Sequence, residues 1–401
     1  MRTRLYFLLG TAISLAAQGV KQPDLKRPDI KQQDIKQQDI KRQADGSWVR
    51  TQEGSGEPSP GPRLQVSSQV RVVLRGSAGD RIGYRLIQTA RARTVEVAAL
   101  RLNGSASLSA SPGVTFINAV GSPAYATLEL SVPRQVWSAS VEILRGGDIE
   151  VYDFSGSVQA HTPAGDIQGD NVGGAIVANT GGGHIRLGKM GGPVRCYTGG
   201  GSITVANAGG EVNCRTVGGE IVVKQAAGQV WLYSGGGNIA VERAALSVEA
   251  HSMEGAIQVG HAGGEVIADT RGGSIRVGSA AGIHAESASG PVHLTDGAGA
   301  LIVSTAIGNI LADLLAGAKL RDSSLAAVSG DITVTIPSNV AVSVMATNQM
   351  GGIPRIVSDF SEVRSRSISF ARPPLAEGSI HGGGPILLLS GSGIIYLKKA
   401  K

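Results

Sequence analysis

Three aspartates that follow glycines are close enough in sequence to be considered as a catalytic carboxylate group. Asp148, Asp166 and Asp170 form the nearest approach to an acidic cluster. Clustered carboxylates act as acid and base in enzymes that cleave glycosidic bonds. Each of these aspartates directly follows a glycine, however, and a Gly-Asp pair is typical of a turn. The sequence therefore favours a structural role for all three.

The glycine-rich repeats also raise the question of calcium. A calcium-binding β-roll repeats GGxGxDxUx and needs an acidic residue at the sixth position of each nonapeptide. Counted from six turns that begin at residues 181, 199, 217, 235, 253 and 271, the sixth residues are Arg186, Thr204, Val222, Ala240, Gln258 and Arg276. None of them is acidic, so the sequence predicts no calcium ladder.

Other catalytic and ligand-binding signatures are missing from the sequence. The seven histidines form no HExxH motif and no close cluster with the two cysteines, so no zinc site is predicted. No GxSxG elbow occurs. The glycines recur between β-rich segments, whereas a dinucleotide-binding loop leads into a helix. We therefore predict a protein that is not an enzyme and that uses no metal and no cofactor.

A nine-residue period organises the middle of the chain. An apolar residue, here called the anchor, recurs every nine residues from Ile149 to Ile275, and after the loss of one residue the series resumes at Ile283. The nineteen anchors are Ile149, Val158, Ile167, Ile176, Ile185, Val194, Ile203, Val212, Ile221, Val230, Ile239, Val248, Ile257, Val266, Ile275, Ile283, Val292, Leu301 and Ile310. A second small or apolar residue follows two positions later, and residues i and i+2 of a strand share a face. Each unit is therefore predicted to be one short strand followed by a turn.

A period of eighteen is superimposed on the period of nine. Triple glycines occur at 181–183, 199–201 and 235–237, and a threonine or serine follows alternate anchors by four residues. This hydroxyl series consists of Thr162, Thr180, Thr198, Thr216, Ser234, Ser252, Thr270, Ser287 and Thr305. A coil of two strands explains the periods of nine and eighteen, because similar residues then stack on neighbouring coils. In this arrangement the hydroxyls can form hydrogen bonds with the backbone of the turn. The predicted fold class is all-β, a single-chain β-solenoid with about eighteen residues per coil and β caps at both ends.

Specific binding is predicted only for residues that alternate with the buried positions. On one predicted sheet four consecutive coils present a set that we call the aromatic face. It consists of Arg195, Tyr197, Asn213, Arg215, Trp231, Tyr233, Glu249 and His251. The opposite sheet carries blander residues such as Thr204, Val222 and Ala240. Aromatic residues beside arginine are typical of interfaces, so this face is predicted to bind a sugar or a protein. The alternative is that tyrosine and tryptophan simply favour strands.

The two cysteines lie on neighbouring coils of the predicted solenoid. Cys196 and Cys214 are eighteen residues apart, and each follows its anchor by two positions. Both side chains should therefore point inward. A buried pair of thiols and a disulfide both fit this placement, and parallel Cβ vectors favour the buried pair. A catalytic thiol is not expected in a dry core.

The regions outside the array differ from it in composition. Arg2, Arg4 and the apolar residues 5–17 predict a signal peptide over residues 1–17. A disordered linker with four pentads is predicted over 18–63, and the solenoid over 146–332. Stretches such as VSSQVRVVL and RTVEVAALRL predict β structure in an N-terminal cap over 64–145, and a C-terminal cap is predicted over 333–397.

Charge and hydropathy restrict the partners and the compartment. The formal charge of +6 includes no long block of like charge, so no nucleic-acid partner is predicted. No segment of the mature chain approaches the roughly 20 apolar residues of a membrane span, so we predict an exported protein in the periplasm, on the cell surface or in the medium. Arginines between 71 and 101 have few acidic neighbours in sequence, which indicates a solvated face or contact with an anionic envelope polymer. They are Arg71, Arg75, Arg81, Arg85, Arg91, Arg93 and Arg101.

Four segments carry a resemblance to a known family. They are LSVPRQVWSASVEILRGGDIEV (130–151), SGDITVTIPSNVAVSVMAT (329–347), VSDF (357–360) and GGGPILLLSGSGIIYL (382–397). Together with the repeats they make residues 64–397 similar to the bacterial putative-adhesin family, which has repeated short G-[DEGS]-[IV] strands. The resemblance implies a β-solenoid on an exported or envelope protein and brings no catalytic residues. The regular nineteen-unit array and the pentads depart from the family pattern.

Three hypotheses for function follow, in decreasing order. The first is an exported, adhesin-like β-solenoid that binds a surface glycan or a protein through the aromatic face. The second is an envelope sensor or accessory scaffold with a membrane-protein partner, which predicts a stoichiometric complex. The third is a polysaccharide-active enzyme, which needs a carboxylate pair in a groove that the sequence does not contain.

Overall fold

The computed structural model describes residues 40–58, 63–122, 124–349, 356–366 and 375–400. The signal peptide predicted over 1–17 and residues 18–39 of the predicted linker lie outside these ranges. The N-terminal elements are β1 (Ile40–Arg42), β2 (Ser47–Gly56), β3 (Arg63–Ser68), β4 (Arg71–Ser77), β5 (Ile82–Arg91), α1 (Val95–Arg101), β6 (Ser105–Ser111), β7 (Val114–Val120), β8 (Ala126–Pro133) and β9 (Ser138–Ile143).

The repeat array and the C-terminal region add twenty-seven strands, β10 to β36. The first part of the array contains β10 (Ile149–Tyr152), β11 (Ser157–Thr162), β12 (Ile167–Asp170), β13 (Ile176–Thr180), β14 (Ile185–Met190), β15 (Val194–Thr198), β16 (Ile203–Ala208), β17 (Val212–Thr216), β18 (Ile221–Ala226), β19 (Val230–Ser234) and β20 (Ile239–Ala244). The second part contains β21 (Val248–Ser252), β22 (Ile257–Ala262), β23 (Glu265–Thr270), β24 (Ile275–Ser279), β25 (Gly282–Ser289), β26 (Val292–Gly297), β27 (Leu301–Ile307), β28 (Ile310–Leu314), β29 (Ser323–Ser329) and β30 (Ile332–Ile336). The C-terminal strands are β31 (Val342–Asn348), β32 (Ile356–Ser358), β33 (Arg364–Arg366), β34 (Leu375–Ile380), β35 (Ile386–Gly391) and β36 (Ile395–Lys399).

Alternation of inward and outward residues builds the array into two parallel sheets. From β10 to β30 the even-numbered strands form sheet A and the odd-numbered strands form sheet B, and each strand from β10 to β28 pairs in parallel with the strand two places on. Ile185, for example, pairs with Ile203, eighteen residues later. The anchors and the residues two positions after them fill the core between the sheets, where Ile203 and Val205 are both fully buried. The predicted all-β solenoid with two strands per coil is confirmed.

The repeat is one residue shorter between the anchors Ile275 and Ile283, and the turn between their strands accommodates the difference. Val266 pairs with Ile283 and Ile275 pairs with Val292, so each of these steps spans seventeen residues instead of eighteen. The anchors nevertheless stay aligned on both sides of the step. This alignment is expected because a one-residue slip within a strand would turn its buried side chains outward.

The hydroxyl series joins each coil to the coil before it. Thr216 Oγ1 donates a hydrogen bond of 2.9 Å to the carbonyl oxygen of Gly201 and accepts one of 3.1 Å from the Gly219 N–H. Each of the nine members of the series donates in the same way to a glycine carbonyl of the previous coil. Because these hydroxyls are buried, their hydrogen bonds satisfy backbone groups that water cannot reach.

Both ends of the array contain a coil that is inserted out of sequence order. At the N-terminal end, β3 lies between β7 and β9 in sheet B, and β4 lies between β8 and β10 in sheet A. At the C-terminal end, β35 lies between β29 and β31, and β36 lies between β30 and β32. All eight pairings are parallel. The domain boundaries predicted near residues 145 and 333 therefore do not correspond to breaks in the sheets.

Residues 40–56 differ from the prediction of a disordered linker, which was wrong here. β1 and β2 pair in an antiparallel manner, and β2 pairs with β5 along its whole length. Gln52 donates to and accepts from the backbone of Ala106, at 2.8 and 3.0 Å. The Trp48 indole donates to the Ala92 carbonyl at 3.0 Å. Hydrogen bonds hold this polar segment in place, so its composition alone did not reveal the strands.

The stretch RTVEVAALRL forms α1 and not the predicted strand. The Thr94 hydroxyl caps the helix by accepting a hydrogen bond from the Val97 N–H, and Glu96 and Arg101 lie in the first and last turns, where they complement the helix dipole. Ala98 and Leu102 are four residues apart and fully buried. Their helical spacing outweighs the partial alternation that suggested a strand.

Candidate functional site

All eight residues of the aromatic face lie on the outer surface of sheet B. They occupy four successive strands, β15, β17, β19 and β21, in two columns of directly paired residues. The first column is Arg195, Asn213, Trp231 and Glu249, and the second is Tyr197, Arg215, Tyr233 and His251. Neighbouring members of a column are about 4.8 Å apart because that is the spacing of paired strands. The array therefore holds these side chains on a rigid, regular support.

Contacts within the aromatic face fix the orientation of its rings. The Arg215 guanidinium lies 4.9 Å from the centre of the Tyr233 ring, a distance at which a cation is attracted to an aromatic face. Trp231 Nε1 donates to Glu249 Oε1 at 3.3 Å, and His251 Nε2 lies 2.9 Å from the same oxygen. Tyr197 is 44% exposed, whereas Trp231 and Tyr233 are half-buried. The face thus offers amphipathic rings whose positions are already set.

The two columns continue beyond the predicted residues into a histidine and carboxylate group. Asp269 follows His251 in the second column, and its Oδ2 lies 3.7 Å from His251 Nδ1. Glu286 follows Asp269, and His284 Nε2 lies 3.1 Å from Glu286 Oε1. The sequence prediction missed this group because it stopped at four coils. The spacing of Asp269 and Glu286 from the anchors Val266 and Ile283 would have placed them in the same column.

The outer surface of sheet A opposite the aromatic face carries no aromatic side chain on β16, β18 and β20. Thr204, Val222 and Ala240 pair with one another along it, and all three are half-buried. Lys224 and Glu242 are exposed on the same strands, so this surface lacks rings but not charges, and Thr204 and Val222 provide positions for control substitutions.

The two cysteines lie opposite each other in the core. Cys196 of β15 pairs with Cys214 of β17, and both are buried free thiols. The hydrogen bond to Cys214, together with burial, raises the pKa of the Cys196 thiol well above its usual range. Since only the thiolate is nucleophilic, the raised pKa makes the Cys196 thiol a poor nucleophile.

Asp148, Asp166 and Asp170 accept hydrogen bonds from backbone groups of neighbouring turns. Asp148 Oδ1 accepts from the Asp166 N–H at 2.9 Å, and Asp166 Oδ1 accepts from the His184 N–H at 2.8 Å. Asp170 Oδ1 accepts from the Lys189 N–H at 2.8 Å. Partial burial acts most strongly on the pKa of Asp166 and raises it, but the His184 N–H and the Arg186 guanidinium together bring that pKa below its ordinary value.

The arginines of the N-terminal region have more acidic partners than their sequence neighbours suggested. Arg71 contacts Glu150. Arg85 Nε lies 2.7 Å from Glu53 Oε1, and Arg81 lies 3.9 Å from Glu57. These partners come from distant segments, so inspection of nearby residues could not find them. The side chains of all three arginines are about half exposed, which agrees with the solvated face predicted for them, and contact with an anionic polymer stays a prediction.

One shallow groove lies on sheet A near the N-terminal end. Its volume is about 680 Å³, and it is lined by Glu53, Arg75, Arg85 and Glu129 among others. Arg85 is paired with Glu53 and lies 3.9 Å from Glu129, and Arg75 packs 4.7 Å from the centre of the Tyr152 ring. The charges of the groove are therefore largely engaged with one another.

Within the described part of the chain, no three His, Cys, Asp or Glu side chains are grouped so that they could hold a metal ion. Nor does any helix in that part of the chain have the length and apolar character needed to cross a membrane.

Comparison with known proteins gives two distant structural likenesses. No protein-family model matches the chain, and no curated protein matches it in sequence. A solved structure described as a "putative cell adhesion protein" from Clostridium sporogenes is 8% identical, with a TM-score of 0.19, over 88% of this chain and 100% of that one. A "putative adhesin" from Bacteroides fragilis is 9% identical, with a TM-score of 0.18, over 88% of this chain and 97% of that one. At these TM-scores the likenesses carry no argument about function.

Proposed function

We propose that this protein is a non-enzymatic, adhesin-like binding module of the exported cell envelope, and that the aromatic face contacts a surface glycan or protein. The observation that carries the proposal is the double column of aromatic, basic and amide side chains on sheet B. Aromatic residues and arginine are the groups most enriched at binding hot spots. Rings held by a sheet lose little conformational entropy when a ligand binds.

The absence of catalytic activity is part of the same proposal. A glycosidase needs one carboxylic acid and one free carboxylate on either side of the scissile bond. Asp148, Asp166 and Asp170 instead accept hydrogen bonds from backbone N–H groups of the turns. This use of the carboxylates favours a binding module over a polysaccharide-active enzyme.

The test is a binding array that carries glycans, cell-wall polymers, envelope proteins and this protein itself. Wild-type protein is compared with the Tyr197→Ala/Trp231→Ala/Tyr233→Ala variant. The matched control is Thr204→Ala/Val222→Ala on the outer surface of sheet A. We expect the wild type and the control to bind and the aromatic variant to lose binding, with unchanged circular dichroism in all three. Retention of binding by the aromatic variant would remove the aromatic face as the site.

A further inference from the structure

The charges of sheet B change sign along the array. Arg195 and Arg215 lie on β15 and β17, whereas Asp269 and Glu286 lie on β23 and β25. Neither arginine forms an ion pair with a carboxylate among the residues that the structure describes. Asp269 lies 3.7 Å from His251 and Glu286 lies 3.1 Å from His284, and the two carboxylate side chains are 58% and 56% exposed. The face is therefore basic towards its N-terminal strands and acidic towards its C-terminal strands, with Trp231 and Tyr233 between.

This order of charges is complementary to itself under a two-fold rotation. An axis that runs parallel to the strands, between β19 and β21, superposes β17 on β23 and β15 on β25 of a second copy. The rotation keeps each column opposite the same column, because positions along the strand direction do not change. Arg215 then faces Asp269 of the second copy, Tyr197 faces Glu286, and Arg195, beside Tyr197, faces His284. No two arginines and no two carboxylates of these columns are brought face to face.

The residues around the charged pairs also match under this rotation. At the centre, Trp231 faces Glu249 and Tyr233 faces His251 of the second copy. One strand beyond the charged set, Val177 of β13 faces Ile302 of β27, and Ile302 is 47% exposed. An interface of this kind has aromatic residues in the middle, where hot spots cluster, with charged pairs around them and apolar contacts at its two ends.

The area is sufficient for a specific dimer. Eight strands, β13 to β27 of sheet B, at about 4.8 Å per strand and five residues of about 3.3 Å each, offer roughly 650 Å² per copy. The total of roughly 1,300 Å² falls within the range of specific interfaces, which begins near 1,200 Å². A symmetric pair uses the same patch on both copies, as isologous interfaces require.

We propose that the partner of the outer face of sheet B is a second copy of this chain, packed face to face with the two arrays running in opposite directions. The inference rests on the proposed function, because it names the partner of the same face. It makes the adhesive contact homophilic, so two surfaces that carry this protein adhere through identical modules.

Charge exchange provides the test, with sedimentation velocity on the purified full-length chain as the measurement. The first variant is Arg195→Glu/Arg215→Glu, the second is Asp269→Arg/Glu286→Arg, and the third combines all four substitutions. We expect the wild type to form reversible dimers that weaken at high salt. Each double variant should raise the dissociation constant at least about 100-fold, because like charges then face each other. An equimolar mixture of the two double variants, and the fourfold variant alone, should form dimers again.

Three outcomes would overturn the inference: a monomeric wild type, dimers that both double variants retain, and double variants that fail to associate when they are mixed. An unchanged unfolding midpoint in every variant excludes loss of folding as the cause. If the wild type is monomeric but binds a glycan or another protein on the array through Tyr197, Trp231 and Tyr233, the proposed function stands and the inference fails. If it neither self-associates nor binds on the array, both fail.

Discussion

The backbone of Gly219 lies directly against the carbonyl oxygen of Gly201 in the preceding coil, and no space remains between them for a side chain. The same relationship links Gly237 to Gly219 and Gly255 to Gly237. The neighbouring Gly218 is different, because a Cβ there would meet nothing within 4 Å. Glycine is thus needed at one position of the turn for close stacking and is not needed sterically at the next.

Gly219→Ala should destabilise the array, and Gly218→Ala should not. A methyl group at Gly219 must push two coils apart, and overpacking of this kind costs about 1–3 kcal/mol. At Gly218 the alanine reduces the entropy of the unfolded chain and should change the free energy of unfolding by no more than about 1 kcal/mol. Urea unfolding of the two variants and the wild type is the measurement. Equal losses in both variants would contradict the stacking argument.

Thr216→Val should cost about 1–3 kcal/mol in the free energy of unfolding, because the Gly201 carbonyl and the Gly219 N–H both lose a buried partner. Thr216→Ser keeps the hydroxyl, as Ser234 does in the next coil, and should cost much less. Thr204→Val on the outer surface is the control for the change of side chain. A Thr216→Val variant as stable as the serine variant would show that these hydrogen bonds contribute nothing.

Asp166→Asn should lower stability at neutral pH but not in acid. The pKa of Asp166 is lowered in the folded protein, so its carboxylate stabilises the fold above the unfolded value of about 3.9, and this contribution is lost as pH falls through the folded pKa. The effect should be a few tenths of a kcal/mol, because the Arg186 ion pair is partly exposed and screened. The measurement is the unfolding free energy as a function of pH.

Arg186→Gln serves as the control for the Asp166 prediction, since it breaks the same ion pair and leaves the bond to the His184 N–H intact. It should reproduce part of the loss at neutral pH. If the difference in the free energy of unfolding between Asp166→Asn and the wild type grew as the pH fell, the prediction would be contradicted.

Cys196 and Cys214 should resist thiol reagents in the folded protein. Both are buried, and the raised pKa of Cys196 leaves almost no thiolate at neutral pH. We expect labelling by iodoacetamide to become fast only after denaturation, at a rate set by unfolding. Two labels per denatured chain without reductant would confirm free thiols. Rapid labelling of the native chain, or a need for reductant after denaturation, would contradict this prediction.

The array was predictable from sequence because its order is local and repeated. The anchors fix which residues point inward, and the period of eighteen fixes which residues pair, so Arg195 could be placed beside Asn213 from spacing alone. The hydroxyl series followed from the same period, and the turn role of Asp148 followed from its position directly after a glycine.

The ends of the array were less predictable because their pairings are not periodic. Nothing in the sequence near β3 indicates that it pairs with both β7 and β9. The partners of Arg71 and Arg85 come from segments 79 and 32 residues away. Helix α1 was missed because valines at alternate positions mimic a strand, and the buried pair Ala98 and Leu102 is only a single turn long.

The inserted coils at the two ends make the order of assembly differ from the order of synthesis. The coil formed by β35 and β36 separates β29 and β30 from β31 and β32, although it is made after both. A chain that lacks residues 386–399 therefore lacks an interior layer and not merely its end, and it exposes two unpaired surfaces at once. Pairing at this end of the array can therefore be completed only after the last strands have been synthesised.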